Sequence, residues 1–302
     1  IEETTMRKLT RNLVLAGIAG VTALSSVQAL AADEPKPAPP SPHVGHTLPP
    51  TPPEHVFTTN AAFVSNYIFR GLTQTFGKPA VQVGFDYAHS SGAYAGVWGS
   101  NISSQQYAGG SSEIDYYLGY NGKLAGDWGW TAGFYGYYYP GANYKNTVPA
   151  GADQEYNTEE ANIGVSWKWV SLKLSSTLGD YFGANTKTLY TSGSSGSTYL
   201  DLTANVPLSN DFTLLLHYGD QDIKTKLVTA NTTNDAAGVT DPSYTDYKIG
   251  ISKAFKDGWT VGLAYSKADN TKYYDKTAGV VDSSKTHDLG SGVTVLSISR
   301  VF

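Results

Sequence analysis

From residue 57 onward the chain alternates apolar and polar side chains with a period of two. Alternation of this kind puts one face of a strand in an apolar medium and the other in a polar one. Residues 79–88 set Val81, Val83, Phe85 and Tyr87 against Gln82, Gly84 and Asp86. Residues 159–169 set Ala161, Ile163, Val165, Trp167 and Trp169 against Glu160, Asn162, Gly164, Ser166 and Lys168. The pattern predicts strands at 57–70, 79–88, 93–102, 111–121, 128–139, 159–169, 171–182, 197–206, 212–223, 243–255, 259–269 and 290–302. Only 93–102 has two similar faces, both small and aromatic.

The connections between these strands alternate in length. Those at 71–78, 103–110, 140–158, 183–196, 224–242 and 270–289 are long, and each intervening one is shorter than its neighbours. Short turns on one side and long loops on the other are the signature of an outer-membrane barrel. The expected fold is therefore all-β, a closed up-and-down antiparallel transmembrane β-barrel of about 12 strands. Five of the six tryptophans, Trp128, Trp130, Trp167, Trp169 and Trp259, sit beside short connections. Indole favours the headgroup level, so these five predict an aromatic girdle at the periplasmic interface.

The last segment, 292–302, ends on Phe302. Its outward register is Thr294, Leu296, Ile298 and Phe302, and it must pair with the first strand to close the barrel. Leu296, Ile298 and Phe302 are the expected handle for the barrel-assembly machinery. Arg300 stands where an apolar residue is commoner and can snorkel to headgroups.

The segment before residue 57 follows a different rule. Residues 1–5 precede Met6, the only methionine. Arg7, Lys8 and Arg11, the apolar run 13–24 and Ala29-Leu30-Ala31 read as a secretory signal peptide, with cleavage before Ala32. Residues 32–56 hold nine of the 14 prolines and read as a semi-rigid periplasmic linker. The barrel is assigned to 57–302. His43, His46 and His55 lie in the linker, but their irregular spacing supports no metal assignment.

Composition agrees with export. There are no cysteines, 22 tyrosines, 32 glycines and a net charge of −5. Removing three basic and two acidic residues with the signal peptide makes the balance slightly more negative, which argues against nucleic acid as a partner. Mean hydropathy is −0.27, low for a helical membrane protein but suited to strands with one wet face.

Charged residues on the wet faces are the candidate functional set: Arg70, Asp86, Glu113, Asp115, Glu160, Lys168, Lys173, Asp201, His217, Asp246 and Lys248. Both signs inside a narrow lumen either orient water and small polar solutes or pair with one another and plug it. Tyr117, Tyr135 and Tyr137 are expected to narrow the bore, and the loop 140–158 to fold inward. His89-Ser90-Ser91-Gly92 offers a base beside a nucleophile, but no orienting carboxylate is evident, and Ser-Gly turns serve geometry alone. His217 has no serine partner identifiable from sequence. Loop acids such as Asp153, Glu155, Asp235, Asp241, Asp275 and Asp282 have no EF-hand spacing. No catalytic residue, metal or cofactor is assigned.

Over residues 63–121 the chain resembles a proteobacterial family, the TorF porin family, also called the Gcw_chp conserved hypothetical family. The matching residues are Ser65-Asn66-Tyr67-Ile68-Phe69-Arg70-Gly71, Gln74-Thr75, Lys78-Pro79-Ala80-Val81-Gln82, Asp86-Tyr87, Tyr94 to Asn101 and Glu113-Ile114-Asp115. The resemblance implies a porin-like channel in the outer membrane for small hydrophilic solutes. Within the similar segment, Arg70, Asp86, Asn101, Glu113 and Asp115 are expected to shape the pore or its polar network. A non-conducting barrel that presents its long loops to a partner remains the alternative, with a barrel hydrolase the third reading. Composition does not separate a monomer in lipid from a homo-oligomer.

Overall fold

The computed structural model describes residues 54–228 and 238–302. The signal peptide, most of the proline-rich segment, His43, His46 and Asp235 lie outside the described residues.

Twelve antiparallel strands form one closed ring, each bonded to its chain neighbours. They are β1 (His55–Val64), β2 (Ala80–His89), β3 (Ala93–Asn101), β4 (Ser112–Lys123), β5 (Trp128–Tyr138), β6 (Thr158–Trp167), β7 (Val170–Thr177), β8 (Thr198–Pro207), β9 (Phe212–Asp222), β10 (Tyr244–Ala254), β11 (Trp259–Ala268) and β12 (Val293–Val301). The ring closes where β12 meets β1, with Phe63 opposite Ile298 and Asn60 opposite Val301. Phe302 extends the seam: its amide donates to the Thr59 carbonyl at 2.8 Å. Closure removes both sheet edges, which is what an apolar surround demands.

The outward face is apolar. Phe57, Val81, Val83, Leu118, Ile163, Ile249 and Leu263 are all exposed on it. A continuous belt of this kind is not left to water. The register is the one the alternation predicts, with Thr294, Leu296 and Ile298 outward on β12. The five tryptophans stand at the short-turn end on the outward side or in the turns. Trp98 settles the ambiguous β3: it is buried and packs on Tyr67 with ring centroids 5.5 Å apart, so it faces in.

The buried core is not between two sheets. It lies at the long-loop end, and tyrosine is its commonest residue. Tyr107 stacks on Tyr139 at 4.6 Å and Tyr144 on Tyr156 at 4.2 Å. Tyr190 and Tyr273 share a hydrogen bond of 2.7 Å between residues far apart in sequence. Burial, the largest cause, pushes the phenols of Tyr144, Tyr156, Tyr190 and Tyr273 above their ordinary range, so they stay neutral. The long loops thus fuse into a packed dome over one mouth of the barrel.

Candidate functional site: the lumen and its internal hairpin

The first strand ends earlier than its pattern suggests. β1 stops at Val64, and after Ser65, whose amide still donates to Leu296 O, the chain leaves the wall and buries residues 66–75 in the lumen before returning to β2. There Ile68 pairs with Thr73 and Phe69 with Leu72 in a two-residue hairpin whose tip is Arg70-Gly71. Both tip residues have positive φ, 43° and 79°, as a type I′ turn requires. Glycine accepts this freely, whereas a non-glycine residue in the left-handed region costs about 1–3 kcal/mol. The strain at Arg70 has to be offset by what its side chain reaches.

Arg70 reaches the far wall. Its Nη1 and Nη2 donate to the two carboxylate oxygens of Glu160 at 2.9 and 2.7 Å, and Nη1 also donates to Gln221 Oε1 at 2.9 Å. The guanidinium carbon lies 4.1 Å from the Tyr199 ring centre and 4.6 Å from that of Phe69. Glu160 is on β6, nearly opposite β1 in the ring. Gly71 sits against Asp246 on β10, where an added Cβ would come within 2.5 Å of the Asp246 Cβ. Asn66 Oδ1 accepts from Thr73 Oγ1 at 2.6 Å and from Thr75 Oγ1 at 3.1 Å, fixing the hairpin's base. Gln106 and Tyr107 from the next long loop bond Thr73 O and Gln74 Oε1, each at 2.6 Å.

The other lumen carboxylates near this level are held by phenols. Glu113 accepts from Tyr139 at 2.7 Å and Tyr67 at 3.0 Å, and Asp115 accepts from Tyr135 at 3.0 Å. Tyr117 and Tyr135 stack at 5.2 Å, and Tyr135 meets Tyr137 at 4.7 Å, a ladder of rings down the inside of β4 and β5. Tyr117 also donates to Asp86, which accepts from Asn60 as well.

A second cluster joins β8, β9 and β10. His217 stands between two carboxylates: Nδ1 is 3.3 Å from Asp201 Oδ1 and Nε2 is 3.1 Å from Asp246 Oδ1. Tyr199 and Thr203 complete its shell at 3.0 and 2.9 Å. Lys248 is the register partner of His217, and Lys173 that of Asp201, with all four on the lumen side. Toward the short-turn end the inward positions become small and polar, among them Asn162, Ser166, Ser171, Thr203, Ser252, Gly262 and Ser297.

The wet faces thus bring together ten of the twelve sequence candidates: Arg70, Asp86, Glu113, Asp115, Glu160, Lys173, Asp201, His217, Asp246 and Lys248. Arg70 arrives by an unexpected route, on a hairpin tip rather than on the wall near the closing seam. Two candidates do not line the lumen. Asn101 ends β3 on the outward side and is exposed. Its Oδ1 accepts from the Val81 amide at 2.8 Å, so it ties β2 to β3 at their long-loop ends. Lys168 occupies the tight turn after β6 with φ 51°, exposed, its ammonium 4.8 Å from the Trp167 ring centre. The inward-folding loop is also different: 66–75 fills the lumen, while 139–157 caps it. Sequence reading missed Gln221, Tyr199 and Tyr67. For Gln221 and Tyr199 the available signal was parity, which they share with Gly219 and Asp201, whereas Tyr67 has the parity of the lipid-facing Phe57 and Phe63 and turns inward only because the chain leaves the wall.

The serine turn contains more than its sequence shows. His89 Nδ1 is 2.7 Å from Ser91 Oγ, and Glu54 lies 3.2 Å from His89 Nε2. No turn amide is left for an oxyanion: Ser91 N–H donates to His89 Nδ1, Gly92 N–H to His89 O and Ala93 N–H to Ser91 Oγ. Acyl transfer needs such donors, so the turn does not support hydrolysis.

A model of bacterial proteins of unknown function, Gcw_chp, matches residues 49–302. The chain belongs to the Gcw_chp family. Its SNYIFRG segment, residues 65–71, is the first arm and tip of the lumen hairpin. No curated protein matches the chain. Among solved structures, the NanC porin is 11% identical over 82% of this chain and 98% of its own, with a TM-score of 0.47. The KdgM porin is 8% identical over 82% and 98%, with a TM-score of 0.44. An outer membrane channel from Pseudomonas putida F1 is 11% identical over 85% and 100%, with a TM-score of 0.45. At these values the likeness carries no argument about function.

Proposed function

We propose that this Gcw_chp barrel is an outer-membrane channel of the porin kind for small hydrophilic solutes, closed at rest by its own hairpin, residues 66–75. The observation that carries the reading is the sorting of faces: an apolar belt outside, and inside a lumen lined by both signs of charge and by phenols. A lumen meant only to be filled would be cheaper to fill with apolar side chains, since buried ion pairs are seldom stabilising by themselves. The tip of the hairpin is joined to the wall by polar contacts, which water can replace when it moves, while Tyr67 and Phe69 pack on the wall rings of Trp98 and Tyr137.

With the chain termini and short turns toward the periplasm, the dome faces outward, and the tryptophans at the short-turn end sit at the periplasmic headgroups. The sequence then orders itself as signal peptide, proline-rich periplasmic linker and barrel. Solute entry requires the dome to part and Arg70 to leave Glu160. The mixed charges of Lys173, Asp201, His217, Asp246 and Lys248 then form the polar path. Liposomes containing the barrel should swell in small sugars or amino acids, and swell faster when residues 68–73 are removed. Impermeability of both preparations would sink the proposal.

One observation favours a second reading. Among the described residues the dome is packed by tyrosines from several long loops, Tyr107, Tyr144, Tyr156, Tyr190 and Tyr273 among them. A non-conducting barrel that displays this dome to a partner accounts for that packing, and it predicts no swelling with or without the hairpin.

A further inference from the structure

We propose that Glu54, His55 and His89 form a binding site for a divalent first-row transition metal ion, with zinc the best match. The site is at the short-turn end of the barrel, on its outward side, and does not depend on conduction. His55 opens β1 and His89 closes β2, and the two are direct register partners in that strand pair. Partners in an antiparallel pair project side chains to the same face. Their ring centroids are 5.1 Å apart. Glu54 precedes His55, and its carbonyl accepts from the Ser90 amide at 2.9 Å, which ties the turn to the start of β1.

One donor atom from each of the three residues lies within 4.8 Å of the others. Donors around tetrahedral zinc, with bonds of ~2.0–2.1 Å, are separated by about 3.3 Å. The difference is within a side-chain rotation, and Glu54 and His55 are exposed and free to make it. The Glu54–His89 hydrogen bond of 3.2 Å already points carboxylate and Nε2 at one another, and the metal would take the place of the proton between them.

Metal-ligating imidazoles donate their other N–H to an oxygen. Both histidines have that oxygen. His55 Nδ1 is 3.0 Å from the Tyr87 hydroxyl, and His89 Nδ1 is 2.7 Å from Ser91 Oγ. Without metal, His89 Nδ1 also accepts from the Ser91 amide at 3.1 Å. The hydroxyl lets the same ring adopt the other tautomer, with Nδ1–H donating and Nε2 free. Two imidazoles and one carboxylate, with no thiolate in the chain, select zinc, nickel or copper rather than calcium or magnesium. Three protein ligands leave a fourth position for water.

The fold gives such a site work to do. β12 pairs with β1 only from Thr59 onward, through Phe302. Residues 55–58 are therefore bonded to β2 alone. An overhanging strand end frays. A metal bridging His55 and His89 would pin it to β2, beside the point where the proline-rich segment enters the barrel.

The test is zinc titration of the untagged barrel, N-terminal segment intact, in detergent, followed by calorimetry and by cobalt absorption. The expected result is one ion per chain, visible bands of a tetrahedral cobalt site, loss of binding in His55→Ala and in His89→Ala, and about 10–100-fold weaker binding in Tyr87→Phe. Heat-dependent gel mobility confirms that each variant is folded. Absence of stoichiometric binding, an octahedral cobalt spectrum, or equal binding by the His55→Ala/His89→Ala barrel overturns the proposal. That last result would place the metal on His43 and His46 instead.

Discussion

Arg70 and Glu160 are joined by two parallel hydrogen bonds of 2.9 and 2.7 Å across the interior of the barrel. One residue is on a hairpin that has left β1, and the other is on the wall nearly opposite. Both side chains are only 3% exposed, so the pair is desolvated and cannot be broken one-sidedly without leaving a buried charge. The hairpin is therefore seated or displaced as a unit.

Replacing Arg70 by alanine leaves Glu160 buried and unpaired, which costs about 3–5 kcal/mol. Hydrogen exchange over residues 65–79 should accelerate by several orders of magnitude, with strand amides on the far side of the ring unaffected. Replacing both partners, as in Arg70→Met with Glu160→Leu, should recover most of the protection. Unchanged exchange in Arg70→Ala would show that the ion pair does not hold the hairpin.

Gly71→Ala acts on the same unit by geometry. The new methyl would meet the Asp246 Cβ at 2.5 Å with φ at +79°, so both space and backbone oppose it. The hairpin should fail to seat while the barrel still assembles. The expected readout is normal heat-modifiable migration together with rapid exchange at residues 65–79. Wild-type protection in this variant would contradict the placement of the tip.

His217 separates Asp201 from Asp246. Truncation to alanine leaves both carboxylates short of a partner, at a cost of about 1–3 kcal/mol, and leaves them open to a passing cation. In a barrel opened by Arg70→Ala, adding His217→Ala should raise cation selectivity. The reversal potential in a salt gradient measures this, and a shift toward anions would count against these groups lining the path.

Phe302 closes the seam and stacks under Arg300, whose guanidinium lies 4.6 Å from its ring centre and 5.4 Å from that of Trp259. Deleting Phe302 removes the backbone bond to Thr59 and the terminal aromatic of the assembly handle. Assembled barrel in the membrane fraction should fall several-fold. Undiminished assembly would remove Phe302 from that role.

The barrel was legible because lipid and lumen impose opposite chemistry on alternate residues. Strand ends predicted from that alternation lie within a few residues of the observed ones in most cases, and loop length supplied direction. The hairpin was hidden for the same reason. Tyr67 and Phe69 continue the outward parity of Phe57 and Phe63, so the pattern does not mark Val64 as the end of the wall. Only Gly71, which accepts a left-handed turn freely, hinted at reversal. Asn101 and Lys168 were misplaced at strand ends, where one residue decides the face. β3 has two similar faces until Trp98 is seen to point inward, and Lys168 begins a turn that sequence reading absorbed into its strand. The Glu54–His55–His89 grouping was illegible because it depends on the β1–β2 register, not on spacing along the chain.

The central claim is that residues 66–75 close a polar conduit and are latched by Arg70 to Glu160. Single-channel recording in planar bilayers tests it most directly, comparing the native barrel with Arg70→Ala. The account predicts rare, small openings for the native barrel and frequent, larger steps for the variant. Identical traces, or silence from both at every voltage, would contradict it.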